Sequence, residues 1–243
     1  MENELRLAVL IDADNAPRTA LREIMAEVAV YGAATIKRIY ADWTAPNMGS
    51  WKPLLLEHAI TPFQQYSYTT GKNATDSAMI IDAMDILYSG NCDGFVLVSS
   101  DSDFTRLATR LREAGMKVYG MGEKKTPKPF IVACDKFVYI ESLKAAEGPE
   151  PPAPAGKAAK KKAKPLSVQE LIAQSVEDLA DEDGYAYLGD LGNLLIKKQP
   201  DFDPRNYGFS KLSRFIASLD GFEIDERHNP KYQGTQVFLR NKK

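Results

Sequence analysis

Residues 1–146 alternate between short apolar runs and segments with the period of an amphipathic helix. Six runs predict β-strands: Leu5–Ile11, Thr35–Tyr40, Ile60–Gln65, Gly94–Ser99, Lys117–Met121 and Phe137–Ile140. The segments between them predict five helices: Pro17–Val30, Trp51–His58, Thr75–Tyr88, Asp103–Ala114 and Pro127–Ala133. Continuous apolar strands separated by helices predict an α/β fold, in which a mostly parallel sheet carries helices on both faces.

The pattern changes after residue 165. It predicts three helices and a β-hairpin, the elements of a small winged helix: Val168–Leu179, Leu188–Lys198, Phe209–Leu219, Phe222–Arg227 and Gln236–Leu239. Between the two patterns, residues 147–165 are rich in Pro, Ala and Lys and lack large apolar side chains, which predicts a flexible linker. We therefore predict domains at 1–146 and 166–243, joined by the linker 147–165.

Composition narrows the class of protein. The chain has 243 residues, 44% hydrophobic and 26% charged, as is typical of a globular protein. No apolar run approaches the roughly 18 residues that a membrane helix needs, and the first residues show no signal-peptide pattern. Cys92 and Cys134 have no Cys or His at zinc-ligand spacing, which favours buried free thiols in a reducing compartment. We expect a cytoplasmic protein with no membrane partner.

The net charge of −2 hides an uneven distribution, because residues 149–165 hold five lysines and one glutamate. Nucleic-acid binding depends on local clusters of charge and not on their sum, so the total does not exclude RNA. The lysine run either keeps the linker solvated or makes transient phosphate contacts.

Acidic residues follow two of the predicted strands and open one helix. Asp12 ends the first strand in VLIDADN, Asp101 and Asp103 follow the fourth strand in LVSSDSDF, and Asp76 opens a helix in KNATDSAM. Ligand groups collect at the carboxyl ends of parallel strands, so these side chains are expected to lie together.

Helical geometry gives Asp76 a particular orientation. It shares a stripe with Ile80 and Leu87 and is predicted to point inward, whereas Asp82 and Asp85 are predicted to face solvent. A carboxylate that points inward needs a partner. A divalent cation such as Mg²⁺ or Mn²⁺, which prefers oxygen ligands, would satisfy several such carboxylates at once.

Helix capping is the structural alternative for these residues. Asn15 precedes Pro17, and Ser100 with Asp103 has a spacing similar to a capping box. The convergence of three segments favours the metal site over the caps.

A phosphatase is the chemical alternative. The Asp-Ala-Asp sequence resembles the motif of haloacid-dehalogenase phosphatases, in which the first Asp is a nucleophile. That family expects Thr or Val where Ala16 stands, and no late Asp-Asp pair is found. The phosphatase hypothesis therefore has less support than the metal site.

The three acidic blocks also resemble a known family. VLIDADN, the Lys72-to-Asp76 spacing and VSSDSDF are similar to the signature blocks of NYN domains, a branch of the PIN-like nucleases, and the resemblance covers about residues 5–142, including Tyr40–Trp43. Ser100 stands where the family usually has Gly. The resemblance implies a catalytic site of Asp12, Asp76, Asp101 and Asp103, with the first three as ligands of Mg²⁺ or Mn²⁺. It places Asn15 and Lys72 where residues contact the substrate or orient the metal ligands, and we also predict a substrate contact at Ser100.

The C-terminal segment resembles a second family. PDFDPRNYGFSKL is similar to the most diagnostic stretch of LOTUS (OST-HTH) domains, and the match covers about residues 166–240. These winged helices bind RNA, and some bind helicase partners instead, so a protein partner through this domain remains open. The predicted RNA contacts are Arg205, Tyr207, Lys211 and Arg214. The alternative is that Tyr207 packs and the charges are merely solvated.

The two resemblances together predict a metal-dependent ribonuclease, an endoribonuclease whose C-terminal module selects the RNA. The alternative is a non-catalytic RNA-binding adaptor that uses a nuclease-like fold. The joint presence of Asp12, Asp76 and Asp101 argues against the adaptor, since a degenerate site would be free to lose them.

Overall fold

The computed structural model describes residues 4–66, 74–145, 168–229 and 234–242. The chain divides into two compact units, Met1–Lys144 and Ala145–Lys243. The predicted linker 147–165 and Lys72 lie outside the described residues, so both remain predictions. Within the described ranges, no helix combines the length and the apolar character that a membrane crossing requires.

The N-terminal unit is built on a six-stranded parallel sheet with the order β3-β2-β1-β4-β5-β6. Its strands are β1 (Arg6–Asp12), β2 (Ala33–Ala41), β3 (Thr61–Gln64), β4 (Gly94–Val98), β5 (Lys117–Gly122) and β6 (Lys136–Tyr139). Its helices are α1 (Leu21–Tyr31), α2 (Lys52–Glu57), α3 (Ala74–Ser89), α4 (Thr105–Glu113), α5 (Lys128–Ala133) and α6 (Ile140–Ala145). The predicted fold class is confirmed, and α6 is an addition to the predicted helices.

The sheet separates two apolar cores, because successive side chains of a strand point to opposite faces. On β1, Val9 and Ile11 pack with α1 and α2, whereas Ala8 and Leu10 pack with α3, α4 and α5. The same alternation directs Asp12 toward the face that carries α3 and α4. The carboxylate at the end of β1 therefore lies at the same end of the sheet as the N-termini of these two helices.

In its described residues, the C-terminal unit has three α-helices and a three-stranded antiparallel sheet. The elements are α7 (Val168–Leu179), β7 (Ala186–Tyr187), α8 (Leu188–Lys198), α9 (Leu212–Ala217), β8 (Phe222–Asn229) and β9 (Gly234–Asn241), with the sheet order β7-β9-β8. These are the predicted elements of a winged helix, with β7 added. The predicted helix Phe209–Leu219 is shortened to α9. It begins at Leu212 because the backbone of Lys211 is extended, with φ −135° and ψ 142°. A 3-10 turn at Pro204–Tyr207, which ends at Gly208 with a left-handed φ of 86°, precedes it.

Asp82 on α3 corrects one prediction from the sequence. It does not face solvent: its carboxylate accepts hydrogen bonds from Arg38 and from the Tyr40 hydroxyl, both on β2. The buried stripe of α3 passes through Met79 and Ala83, so Asp82 lies on the flank that covers β2. Helical periodicity alone did not reveal this contact, because it does not say which strand lies beneath that flank. Burial and the neighbouring carboxylate raise the pKa of the Tyr40 hydroxyl above its ordinary value.

Candidate active site

The four acidic residues meet at the carboxyl edge of the sheet, where the parallel strands end. Asp12 is the last residue of β1, Asp76 lies in the first turn of α3, and Asp101 and Asp103 follow β4. We call these four residues the acid cluster. Asp76, Asp101 and Asp103 each offer an oxygen, and the three oxygens lie within 4.8 Å of one another. Two chain segments, the start of α3 and the turn after β4, therefore contribute carboxylates to one small volume. The role of Asp12 as a direct metal ligand stays a prediction.

Asp12 is the most enclosed member of the acid cluster, with no exposed surface. Its Oδ2 accepts hydrogen bonds from Asn15 Nδ2 at 2.8 Å and from the Ser99 hydroxyl at 2.7 Å. Its Oδ1 accepts from the backbone N–H of Asp14 at 3.0 Å and of Asn15 at 3.3 Å. Asn15 therefore orients Asp12 and does not cap the following helix, so the capping alternative is wrong for this residue.

Ser99 is a site residue that sequence reasoning missed. Its hydroxyl donates to Asp12 and accepts from the backbone N–H of Asp101 at 3.1 Å, so it links two acids of the cluster. Gly122 on β5 makes this turn possible, since a Cβ there would lie 2.6 Å from the Ser99 carbonyl oxygen. The available signal was a hydroxyl residue placed directly after five fully buried positions of β4.

In the turn after β4, the capping residue is Asp101, whereas the sequence predicted a capping box of Ser100 and Asp103. Asp101 is the N-cap of the 3-10 turn Ser102–Phe104, and its Oδ1 accepts from the Asp103 N–H at 2.9 Å. Ser100 is buried, and its hydroxyl accepts from the Glu123 N–H at 2.9 Å. Asp101 therefore combines a structural role with its place in the acid cluster, and Ser100 ties the turn to the segment after β5. Substrate contact by Ser100 stays a prediction.

Crowding of carboxylates changes the acidity of the cluster. Burial first, and then the charges of Asp12, Asp101 and Asp103, raise the pKa of Asp76 to about 6. Burial also raises the pKa of Asp12, although its hydrogen bonds from Ser99 and Asn15 oppose the shift. An acid in the first turn of a helix is normally stabilised in its charged form, so the upward shift at Asp76 means that its surroundings outweigh the helix dipole.

The donor set fits a divalent cation. Carboxylate oxygens are the ligands that Mg²⁺ and Mn²⁺ prefer, and three of them converge here. Among the residues that the structure describes, no lysine or arginine forms an ion pair with Asp12, Asp76 or Asp101. The charge of these three acids is therefore left uncompensated by the described part of the fold.

The residues predicted to contact RNA in the C-terminal unit are in mixed surroundings. Arg205 donates from Nε and Nη2 to the buried carboxylate of Asp203, at 3.0 and 2.7 Å. Tyr207 stacks on Phe215 with ring centroids 4.6 Å apart and remains 38% exposed. Lys211 and Arg214, at the start and in the middle of α9, are exposed. One face of Tyr207 is therefore used for packing, and the four RNA contacts stay predictions.

Comparison with known proteins identifies both parts of the chain. The NYN domain family matches residues 6–141, which is more than half of the chain. The chain belongs to the NYN domain family. The OST-HTH/LOTUS domain family matches residues 160–233. NYN domains are part of the PIN-like nuclease superfamily, and the LOTUS family is a family of RNA-binding modules, so this NYN protein joins a domain of the first family to a domain of the second.

Individual relatives are more distant. "Uncharacterized protein MJ0482" of Methanocaldococcus jannaschii is 27% identical over 128 residues, which are 50% of this chain and 49% of the relative, so the alignment spans about half the length of that protein. The crystal structure of VPA0982, described as a protein of unknown function from Vibrio parahaemolyticus, is 22% identical with a TM-score of 0.48 and covers 58% of this chain and 95% of its own. A solution structure of an uncharacterized protein from gene locus NE0665 of Nitrosomonas europaea is 34% identical with a TM-score of 0.30. The match covers 39% of this chain and 91% of that chain.

Proposed function

We propose that this NYN protein is a metal-dependent endoribonuclease, in which the acid cluster holds Mg²⁺ or Mn²⁺ and the LOTUS domain selects the RNA. The observation that carries the proposal is the convergence of Asp76, Asp101 and Asp103 within 4.8 Å. Family membership supports the nuclease class, and the cluster supports the requirement for a metal.

Electrostatics explains why the site needs a cation before it can act on RNA. Each phosphodiester of RNA carries a negative charge, and the acid cluster repels it. Asp76, Asp101 and Asp103 would hold the ion, and Asp12 would complete its surroundings from the buried side. The bound ion would acidify a water and neutralise the charge that develops on the phosphate during cleavage.

The protein's own residues have the task of keeping the carboxylates in place and charged. Ser99 and Asn15 fix Asp12 through hydrogen bonds to Oδ2, and Ser99 also fixes the Asp101 backbone. Asp76, whose pKa lies at about 6 without an ion, gives up its proton when a cation binds nearby. Metal binding is therefore expected to weaken as the pH falls toward 6.

The test uses the full-length protein and a labelled single-stranded RNA with Mn²⁺, with Mg²⁺ and with EDTA. We expect cleavage at internal positions with either metal and none with EDTA. Thermal unfolding of the same samples gives a second readout, since a bound ion stabilises the folded state and raises Tm. RNA binding without cleavage in any metal, together with an unchanged Tm, would support the non-catalytic adaptor instead.

A further inference from the structure

A groove runs between α3 and α4 beside the acid cluster. It has a volume of about 300 Å³ and is lined by Ile80, Met84, Arg106, Leu107, Thr109, Arg110 and Glu113. The floor is apolar, and one wall carries two arginines. We call it the α3/α4 groove.

The upper end of the groove meets the acid cluster. Ile80 lies four residues after Asp76 on α3, and Arg106 lies three residues after Asp103 at the start of α4. Residues three or four apart on a helix are neighbours on the same side. Because oxygens of Asp76 and Asp103 lie within 4.8 Å of each other, the groove begins about one helical turn from the candidate metal ligands.

Arg106 lies at the end of the arginine wall that is nearest the acid cluster. Arg106 is exposed and, within the described ranges, makes no hydrogen bond or ion pair. Arg110, one turn further along α4, donates from Nη2 to the Tyr88 hydroxyl at 3.1 Å. Tyr88 is 74% exposed, although most large aromatic side chains are buried in folded proteins. Two guanidinium groups and an exposed ring thus flank the groove.

These groups suit a single strand of nucleic acid. A guanidinium matches the geometry of a phosphate, and an exposed ring offers a face on which a base can stack. Arg106 and Arg110 are four residues apart and therefore lie about 6 Å apart along the helix axis, which allows each to reach a different phosphate. Glu113 closes the positive stretch after these two residues. The arginines also offset the repulsion that the acid cluster exerts on an approaching strand.

We propose that the α3/α4 groove binds single-stranded RNA on one side of the cleaved bond, with Arg106 and Arg110 on two phosphates and Tyr88 against a base. The identity of the ligand rests on the proposed ribonuclease function. The proposed position of the RNA strand rests on the place and the lining residues of the groove.

The experiment compares three full-length proteins: wild type, Arg106→Glu with Arg110→Glu, and Arg22→Glu. Arg22 is an exposed arginine on α1, across the sheet from the groove, and is the matched control. A short single-stranded RNA carrying one 4-thiouridine is irradiated with each protein in Ca²⁺, and the crosslinked peptides are mapped by mass spectrometry. The dependence of KM and kcat on salt is measured with Mn²⁺.

Wild type and the Arg22 variant are expected to crosslink within residues 74–89 or 105–113. The double variant should lose that crosslink and raise KM about tenfold, with kcat within about twofold, because phosphate contacts contribute to binding of ground state and transition state alike. The plot of log affinity against log salt concentration should become shallower by about 1.4, because two phosphate contacts are lost and each contributes about 0.7 to the slope. If the double variant does not fold, Arg106→Gln should show about half of this change in slope.

Two results separate this proposal from the proposed function. Crosslinks confined to the C-terminal unit, with KM unchanged in the double variant, would overturn the groove and leave the ribonuclease intact. Crosslinks in the groove that the double variant loses, on a protein that cleaves in no metal, would support the groove and overturn the ribonuclease.

Discussion

The two units contain acidic residues in opposite electrostatic situations. In the C-terminal unit, Asp203 binds Arg205 at 2.7 Å and Asp225 binds Arg227 at 2.7 Å. In the N-terminal unit, no described lysine or arginine pairs with Asp12, Asp76 or Asp101. Within the described residues, the carboxylates of the first group have a basic partner and those of the second group have none. A carboxylate that is paired within its own unit needs no further partner, whereas the unpaired carboxylates of the acid cluster are candidates for binding a cation.

Cationic and aromatic residues show the same contrast. On the C-terminal sheet, Arg227 lies over the rings of Tyr185 and Phe238, with its guanidinium carbon 4.9 and 4.3 Å from their centroids, and is also ion-paired. In the α3/α4 groove, Arg106 is exposed and makes no hydrogen bond, ion pair or ring contact with the described residues. Arginines near aromatic rings are common to both units, so residue type alone does not identify an RNA contact.

Removing one uncompensated carboxylate should abolish cleavage without unfolding the protein. Asp101→Asn is expected to lower kcat about a thousandfold or more, because a group that organises charge in the transition state is lost. Asn can still cap the 3-10 turn that Asp101 caps, so Tm should not fall. Cleavage assays and thermal unfolding check both statements. Asp85→Asn, an exposed acid on α3, is the control, and wild-type cleavage by Asp101→Asn would show that the site is assigned wrongly.

Removing a packed aromatic residue should act on stability instead. Tyr207→Ala is expected to cost the C-terminal unit about 2 kcal/mol, less than a fully buried ring, because Tyr207 stacks on Phe215 but is 38% exposed. Tyr207→Phe keeps the ring and should stay within about 0.5 kcal/mol of wild type. Chemical denaturation measures both variants. A large loss of RNA affinity in Tyr207→Phe, with normal stability, would mean that the hydroxyl contacts RNA directly.

Separating the two units should change substrate binding more than chemistry. A chain that ends near Glu147 keeps the acid cluster and loses the LOTUS domain and the basic linker. Its KM is expected to rise about tenfold or more, because tethering no longer raises the local concentration of RNA, while kcat changes little. Its KM should also depend less steeply on salt. Steady-state cleavage of one RNA at several salt concentrations tests this. An unchanged KM would indicate that the LOTUS domain binds a protein partner.

The smallest expected effect is on the pH dependence of the stability of the metal-free protein. The folded-state pKa of Asp76, about 6, lies above its ordinary value of 3.8, so Asp76 favours the folded state below pH 4 and loses that contribution as the pH rises through 6. After allowance for solvent screening, the loss is about 1 kcal/mol. Asp76→Asn should remove this part of the pH dependence and make the protein in EDTA more stable at pH 7. Denaturation in EDTA at pH 4 and pH 7 measures it, and an identical pH dependence in the variant would contradict the crowding of charge.

The sequence alone determined the layers of the fold and the end of the sheet at which to look for chemistry. Apolar runs such as Gly94–Val98 are buried on both sides, and this local pattern identifies a central parallel strand. The rule that ligand groups gather at the carboxyl ends of such strands brought together Asp12 and Asp101 before any distance was known. The sequence motifs of the NYN and LOTUS families could likewise be recognised in the sequence alone.

The contacts between side chains depend on the tertiary structure. It brought oxygens of Asp76, Asp101 and Asp103 within 4.8 Å of one another, gave Ser99 its link to Asp12, and placed Asp82 against β2. Each of these contacts joins segments far apart in the chain or depends on how a turn closes. Local periodicity fixes which way a side chain points relative to its own helix or strand, but not what stands opposite. That partner is set by the packing of helices on the sheet, which is a property of the whole unit.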